Sequence, residues 1–206
     1  MNKAAMKSSS DTLSVLGLKL PTDPRWANLA GQRLVDILTD HAYCEQKAAS
    51  ACISLIVQYP EQESLVEKLS PVVTEEWGHF RMVLKELAKR GLKLGRQRKD
   101  EYVNELMKLI RKGKPRQQLL DKLLVCALIE ARSCERFKRL SEGIDDADLQ
   151  HFYHELMIAE AGHYRLFLDL SKTVVPKEEA MQRWQEFLNM EAEIIRSMEV
   201  RGDRMH

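Results

Sequence analysis

The chain is short of helix breakers and of cross-linking residues. Its 206 residues include only 9 glycines, 6 prolines and 4 cysteines, and 6% aromatics. So little glycine and proline argues against a fold built from many short strands and tight turns. The cysteines, at 44, 52, 126 and 134, fall in helical patterns without metal-finger spacing, which excludes a disulfide framework and suits buried thiols in a reducing cytosol. Long apolar runs are missing as well. The longest, LLVCALI at 123–129, is far short of the roughly 20 residues that span a bilayer, so no membrane segment is expected. The opening residues MNKAAMKSSSDTLSVLGLKL lack an apolar core followed by a small-residue cleavage site, so export is not expected and a cytoplasmic protein is.

What the chain has is helix-forming material. Apolar residues make up 44% and charged residues 31%, with abundant Leu, Ala, Glu, Lys and Gln. That length supports one sizeable core and does not demand a second, so a single all-α domain over 1–206 is expected. Apolar residues at helical spacing predict helices over about 24–58, 61–90, 115–141, 146–173 and 176–198, with a short one at 100–112. Ser70-Pro71 either kinks the second helix or caps a fresh start. Short turns join the first pair of long helices and the second pair. A longer crossover connects the pairs, as in a four-helix bundle, with a core at about 24–175 and an extra helix at about 176–200.

Net charge is +1, but its distribution is lopsided. From Lys85 to Arg116 there are twelve Lys and Arg against four acids, which is +8 and leaves −7 for the remainder. A field of that size can hold a polyanion, although a solvated basic loop explains the same residues.

The chemistry lies in a repeated motif. TEEWGHFRM at 74–82 holds Glu76 and His79, and AEAGHYRLF at 159–167 holds Glu160 and His163. Residues i and i+3 share a helix face, so each pair can present a carboxylate and an imidazole to one point. A glycine precedes each histidine, a small residue that suggests something passes closely there. Either pair alone would be an ordinary coincidence on a helix surface. The partner helices supply the stronger test, because residues equidistant from a tight turn lie at one height in an antiparallel hairpin. Glu45 opposes Glu76 across the turn at Tyr59-Pro60-Glu61, and Glu130 opposes Glu160 across Gly143 to Asp146.

Four carboxylates and two histidines thus meet at mid-bundle, and burying them together requires protons or cations. This is the ligand set of a carboxylate-bridged two-metal centre: Glu45, Glu76, His79, Glu130, Glu160 and His163. Oxygen and imidazole donors without thiolate favour iron or manganese. Glu75, Glu135 and Glu155 lie on other faces and read as surface charges. His41, one turn before Glu45, reads as a core histidine that could also support the site. Cys126 and Cys134 read as small core fillers, and Tyr164 as packing or a site neighbour.

The pattern E…ExxH…E…ExxH resembles the ferritin-like di-iron carboxylate superfamily. The stretches HAYCEQKAAS, VTEEWGHFRMVLKEL, CALIEARSCERF and LMIAEAGHYRLF, with GLKLGRQRKDEYVNEL between them, resemble more narrowly the bacterial tRNA hydroxylases acting on 2-methylthio-N6-isopentenyladenosine. That resemblance implies a ferritin-like bundle, two Fe ions on the six residues, O2 as co-substrate, and hydroxylation of the isopentenyl group beside the anticodon. It implies an external electron donor, a reductase or electron-transfer protein, because no flavin, nicotinamide or iron-sulfur fingerprint is present. A tRNA anticodon stem-loop would also give the basic crossover a role, through Lys85, Lys89, Arg90, Lys93, Arg96, Arg98 and Lys99. A monomer is expected. The superfamily also admits iron storage in a cage or a peroxide-consuming di-metal enzyme.

Overall fold

The computed structural model describes residues 16–206. Seven helices follow in order: α1 (Trp26–Gly31), α2 (Leu34–Gln58), α3 (Glu63–Lys89), α4 (Glu101–Lys108), α5 (Pro115–Gly143), α6 (Ala147–Val174) and α7 (Lys177–Ser197). Hairpins α2/α3 and α5/α6 form the bundle. The stretch from Arg90 to Lys114, with α4 in it, crosses between them, and α7 packs over α4, α5 and α6. No strand occurs among the described residues.

Local chemistry explains most boundaries. Asp100 and Asp146 cap α4 and α6 by accepting from Val103 N and Leu149 N, and Pro115 opens α5, where its missing N–H costs nothing. Gly91 ends α3 at a φ of 65°, while Leu92 N returns to Leu87 O.

Three boundaries differ from expectation. The first helix is broken at Gln32–Arg33, where Arg33 takes a φ of −125°. The break lets α1 turn so that Trp26 and Ala30 bury and Ala27 meets Gly143 at the end of α5. Pro71 does not cap a fresh start, since α3 runs through it. The carbonyl it orphans belongs to exposed Glu67, so water can satisfy it, and Ser70 Oγ bonds Val66 O in the same turn. α4 stops at Lys108, short of Lys112, because the Asp121 carboxylate takes Arg111 N and its guanidinium instead.

The core is divided. One apolar cluster gathers Trp26, Ile37, Leu38, Val83, Phe137 and Tyr153. The other gathers Leu55, Leu69, Leu120, Leu128, Phe167 and Phe187. Along α2, α3 and α6 a layer of buried carboxylates and histidines falls between the two clusters. After α7 the chain doubles back. Gly202 lies so close to α1 that an added Cβ would sit 2.3 Å from the Leu29 carbonyl, and Met205 is fully buried.

Candidate metal centre

Each long helix of the bundle delivers one part of the polar layer. Glu45 comes from α2, Glu76 and His79 from α3, Glu130 from α5, and Glu160 and His163 from α6. All four carboxylates are at most 5% exposed. The hairpin registers inferred from the turns therefore bring all six residues together, and α3 lies antiparallel to α6. His163 Nδ1 is 2.8 Å from Glu76 Oε1 and 3.2 Å from Glu160 Oε2. His79 Nδ1 lies 3.4 Å from Glu45 Oε2 and 3.6 Å from Glu160 Oε1.

The six residues form two overlapping quartets. Glu45, Glu76, His79 and Glu160 can each place one donor atom within 4.8 Å of the others, and so can Glu76, Glu130, Glu160 and His163. Glu76 and Glu160 belong to both. Both imidazoles turn Nδ1 inward, and His79 Nδ1 is buried without a hydrogen bond.

The electrostatics describe a site balanced by protons. Burial, against the pull of His79, pushes Glu45 well above the usual carboxylate range; burial together with Glu160 and Glu76 does the same to Glu130. Burial acts on Glu76 too, but the imidazoles of His163, 2.8 Å away, and His79 outweigh it and bring Glu76 down to about 2. The imidazoles respond in kind. Burial opposes their charge, yet Glu45 and Glu76 lift His79 to about 10, while Glu160 and Glu76 lift His163 to about 11. Divalent cations would replace these protons, and the donor set fits a pair of them.

Two supporting contacts extend the layer. Glu75 Oε2 lies 2.8 Å from His163 Nε2, so this acid reaches the site although its side chain is 57% exposed. His41, fully buried, places Nε2 2.6 Å from Glu45 Oε1, and burial drops it to about 3, so the ring is neutral. Glu135 is not a surface charge. It is buried, accepts from Thr22 and pairs with Arg132, which in turn holds Glu191. Glu155 is exposed beside His151, as expected. Tyr164 turns away to donate to Leu16 O. The four cysteines are free; Cys134 packs in the core, whereas Cys126 and Cys44 line a cavity that also touches Glu130. His206 lines that cavity too, on an irregular tail whose sequence carries no periodicity to announce it.

Two expectations need revision. The glycines before the histidines do not mark the close passage of a neighbouring helix, since a Cβ at Gly78 or Gly162 would meet nothing within 4 Å. The seven crossover cations do not act alike either. Arg90 is bound to Glu86 and Asp146, Lys89 to Glu86, and Arg98 to Asp36 and Asp203. Lys85, Lys93, Arg96 and Lys99 are exposed, with no ion pair among the described residues.

Comparison with known proteins gives this geometry a family. The family described as tRNA-(ms2io6A)-hydroxylase (MiaE) matches residues 12–206. A tRNA 2-(methylsulfanyl)-N(6)-isopentenyladenosine(37) hydroxylase of Pseudomonas putida is 39% identical over 75% of this chain and 74% of its own. The protein of the same name from Salmonella typhimurium is 29% identical over 87% of this chain and 84% of its own. A solved structure, a Synechococcus protein with aldehyde deformylating oxygenase activity, superposes with a TM-score of 0.86 at 36% identity, covering 92% of this chain and 94% of that one. With its six buried donors held in two quartets that share Glu76 and Glu160, the chain belongs to the MiaE family of tRNA hydroxylases.

Proposed function

We propose that this protein is an O2-dependent di-iron monooxygenase that hydroxylates the isopentenyl group of 2-methylthio-N6-isopentenyladenosine at position 37 of tRNA. The observation that carries the reading is the pair of buried quartets, in a chain whose curated relatives are named for that substrate. Glu45 and His79 would hold one iron, and Glu130 and His163 the other, with Glu76 and Glu160 shared between them. Iron in this setting supplies the O2 activation that protein side chains cannot. The chain's part is positional. Glu75 and His41 fix His163 and Glu45, and the two apolar clusters keep bulk water from either side of the polar layer.

Electrons would come from a separate reductase or electron-transfer protein. The exposed cations Lys85, Lys93, Arg96 and Lys99 are the proposed contacts to the anticodon stem-loop, on a crossover pinned to α2 where Tyr43 donates to Gly95 O and Thr39 accepts from Gly95 N. No described helix is long and apolar enough to cross a membrane, and a cytoplasmic monomer of one domain is the proposed form. A second reading, aldehyde deformylation, draws support from the Synechococcus protein's name.

Nucleoside mass spectrometry of tRNA from cells lacking the protein decides between them. Loss of the hydroxylated nucleoside, restored by the wild type and not by His79→Ala, is the expected result. Unchanged nucleosides would overturn the tRNA reading.

A further inference from the structure

Glu130 has a second environment besides the polar layer. Alone among the six donors, it also lines a cavity of about 370 Å³ between α2, α4 and α5. On α2 the lining is a single helical stripe from Cys44 through Ala48, Ala51 and Leu55 to Gln58. At 1.5 Å per residue, that stripe is about 21 Å long. Val103 and Met107 of α4, with Ile110 just beyond it, cover it, and Val125, Cys126 and Ile129 of α5 form the opposite wall.

The cavity has a direction. Lys122 reaches Gln58 at one end, while at the other Ser133 Oγ is 2.9 Å from His206 Nε2 and Cys44 Sγ is 3.8 Å from His206 Nδ1. α5 therefore runs antiparallel to α2 across the space, and Glu130 falls between the ends. Ser54, Gln58 and Met107 are exposed and mark the open end. Cys44, Asp100 and His206 are largely covered and mark the closed end, where Lys47 already pairs with Asp100 and His206 stacks on Tyr102.

We propose that this cavity is the substrate site, which rests on the tRNA-hydroxylase reading and adds where the modified base goes. The prenyl tail enters along Ala51 and Ile129 toward Glu130. The purine stays at the open end, against the Met107 thioether and within reach of Gln58, Ser54 and Lys122. Three features carry this. The walls are apolar over most of their length, as a branched hydrocarbon tail requires. The reacting C–H bonds must come to the metals, and Glu130 is the donor the cavity touches. The open end is polar, which suits a base that remains attached to RNA, whereas an unbranched aldehyde would leave Gln58 and Lys122 without use.

Equilibrium dialysis of the metal-loaded protein against 2-methylthio-N6-isopentenyladenosine and 2-methylthioadenosine reads what the tail adds. Burial of five carbons should favour the prenylated nucleoside by up to about a thousandfold. Ala51→Phe, which fills the space beside Glu130, should abolish that preference while metal content and unfolding temperature are kept. Gln58→Ala should weaken both nucleosides equally, by about fivefold, and leave the preference intact. If Ala51→Phe does not fold, Ala48→Leu carries the same test one turn away. A folded filling variant that keeps the preference overturns the assignment, and so does octanal displacing the nucleoside at lower concentration than the nucleoside displaces octanal. Wild-type protein that shows the binding contrast yet leaves prenylated tRNA unhydroxylated overturns the functional reading and leaves the cavity assignment standing. Hydroxylation of tRNA that is undiminished in Ala51→Phe does the reverse.

Discussion

Glu75 and His163 meet across two helices, Oε2 to Nε2 at 2.8 Å, with the imidazole turned so that its Nδ1 faces Glu76 and Glu160. An outer carboxylate on the far nitrogen of a ligating histidine fixes the ring and raises its basicity. Glu75→Ala should therefore weaken metal binding by about 10- to 100-fold, read by competition with a chelator, with little change in unfolding temperature. Wild-type affinity in the variant would show that the contact is incidental.

The overlap of the quartets separates two kinds of ligand. Glu76 serves both groups, Glu130 only one. Glu76→Ala should thus lose both metal ions, whereas Glu130→Ala should retain one, as counted by elemental analysis after desalting. Equal losses in the two variants would contradict the shared role of Glu76.

Away from the site, Asp121 is fully buried and accepts from Arg111 and Arg183. Burial alone would raise it, but the two guanidiniums hold it below its ordinary 3.8. A carboxylate depressed in the folded state stabilises the fold above its unfolded value, and that contribution fades as pH falls through the folded one. Asp121→Asn should cost about 1 to 3 kcal/mol at neutral pH, because Arg111 loses its carboxylate partner while Arg183 keeps Glu186. Denaturant titrations of the two proteins should begin to draw together as pH falls below the ordinary 3.8 and converge only once it has passed through the depressed folded value. A gap that persists undiminished in acid would mean that packing, not charge, makes the difference.

Four exposed cations, Lys85 on α3 and Lys93, Arg96 and Lys99 on the crossover, are the proposed RNA contacts. Each phosphate they neutralise should contribute about 0.7 to 0.9 to the slope of log affinity against log salt. Replacing all four with glutamine should flatten that slope for an anticodon stem-loop by up to about 3.6. Replacing Arg90 or Arg98 should instead lower the unfolding temperature, since each holds internal acids. An unaltered slope in the quadruple variant would move the RNA to another face.

The six donors were legible because each part of their placement is a local rule. Helical spacing sets Glu76 beside His79, and a short turn sets Glu45 opposite Glu76. What escaped has no such rule. Glu75 is exposed on its own helix, and only the neighbouring α6 gives it a partner. Glu135 is buried because Arg132, Arg139 and the backbone N–H of Thr22 satisfy its carboxylate, and Thr22 comes from a segment far away in the chain. The break at Arg33 depends on how α1 must turn to reach the end of α5. His206 lies on an irregular tail, where no spacing predicts a direction.

The two ExxH motifs make the sequence look like a doubled half, yet the centre they build is lopsided. On one flank, Glu45 is locked by the buried ring of His41. On the other, Glu130 forms part of the wall of an open cavity. Two ions placed there would have unlike surroundings: the one on Glu45 and His79 would sit beside a carboxylate held by His41, the other on Glu130 and His163 beside an imidazole held by Glu75 and next to the adjoining space. A repeated motif has in this way built two unlike positions, one closed in by His41 and the other bordering a cavity.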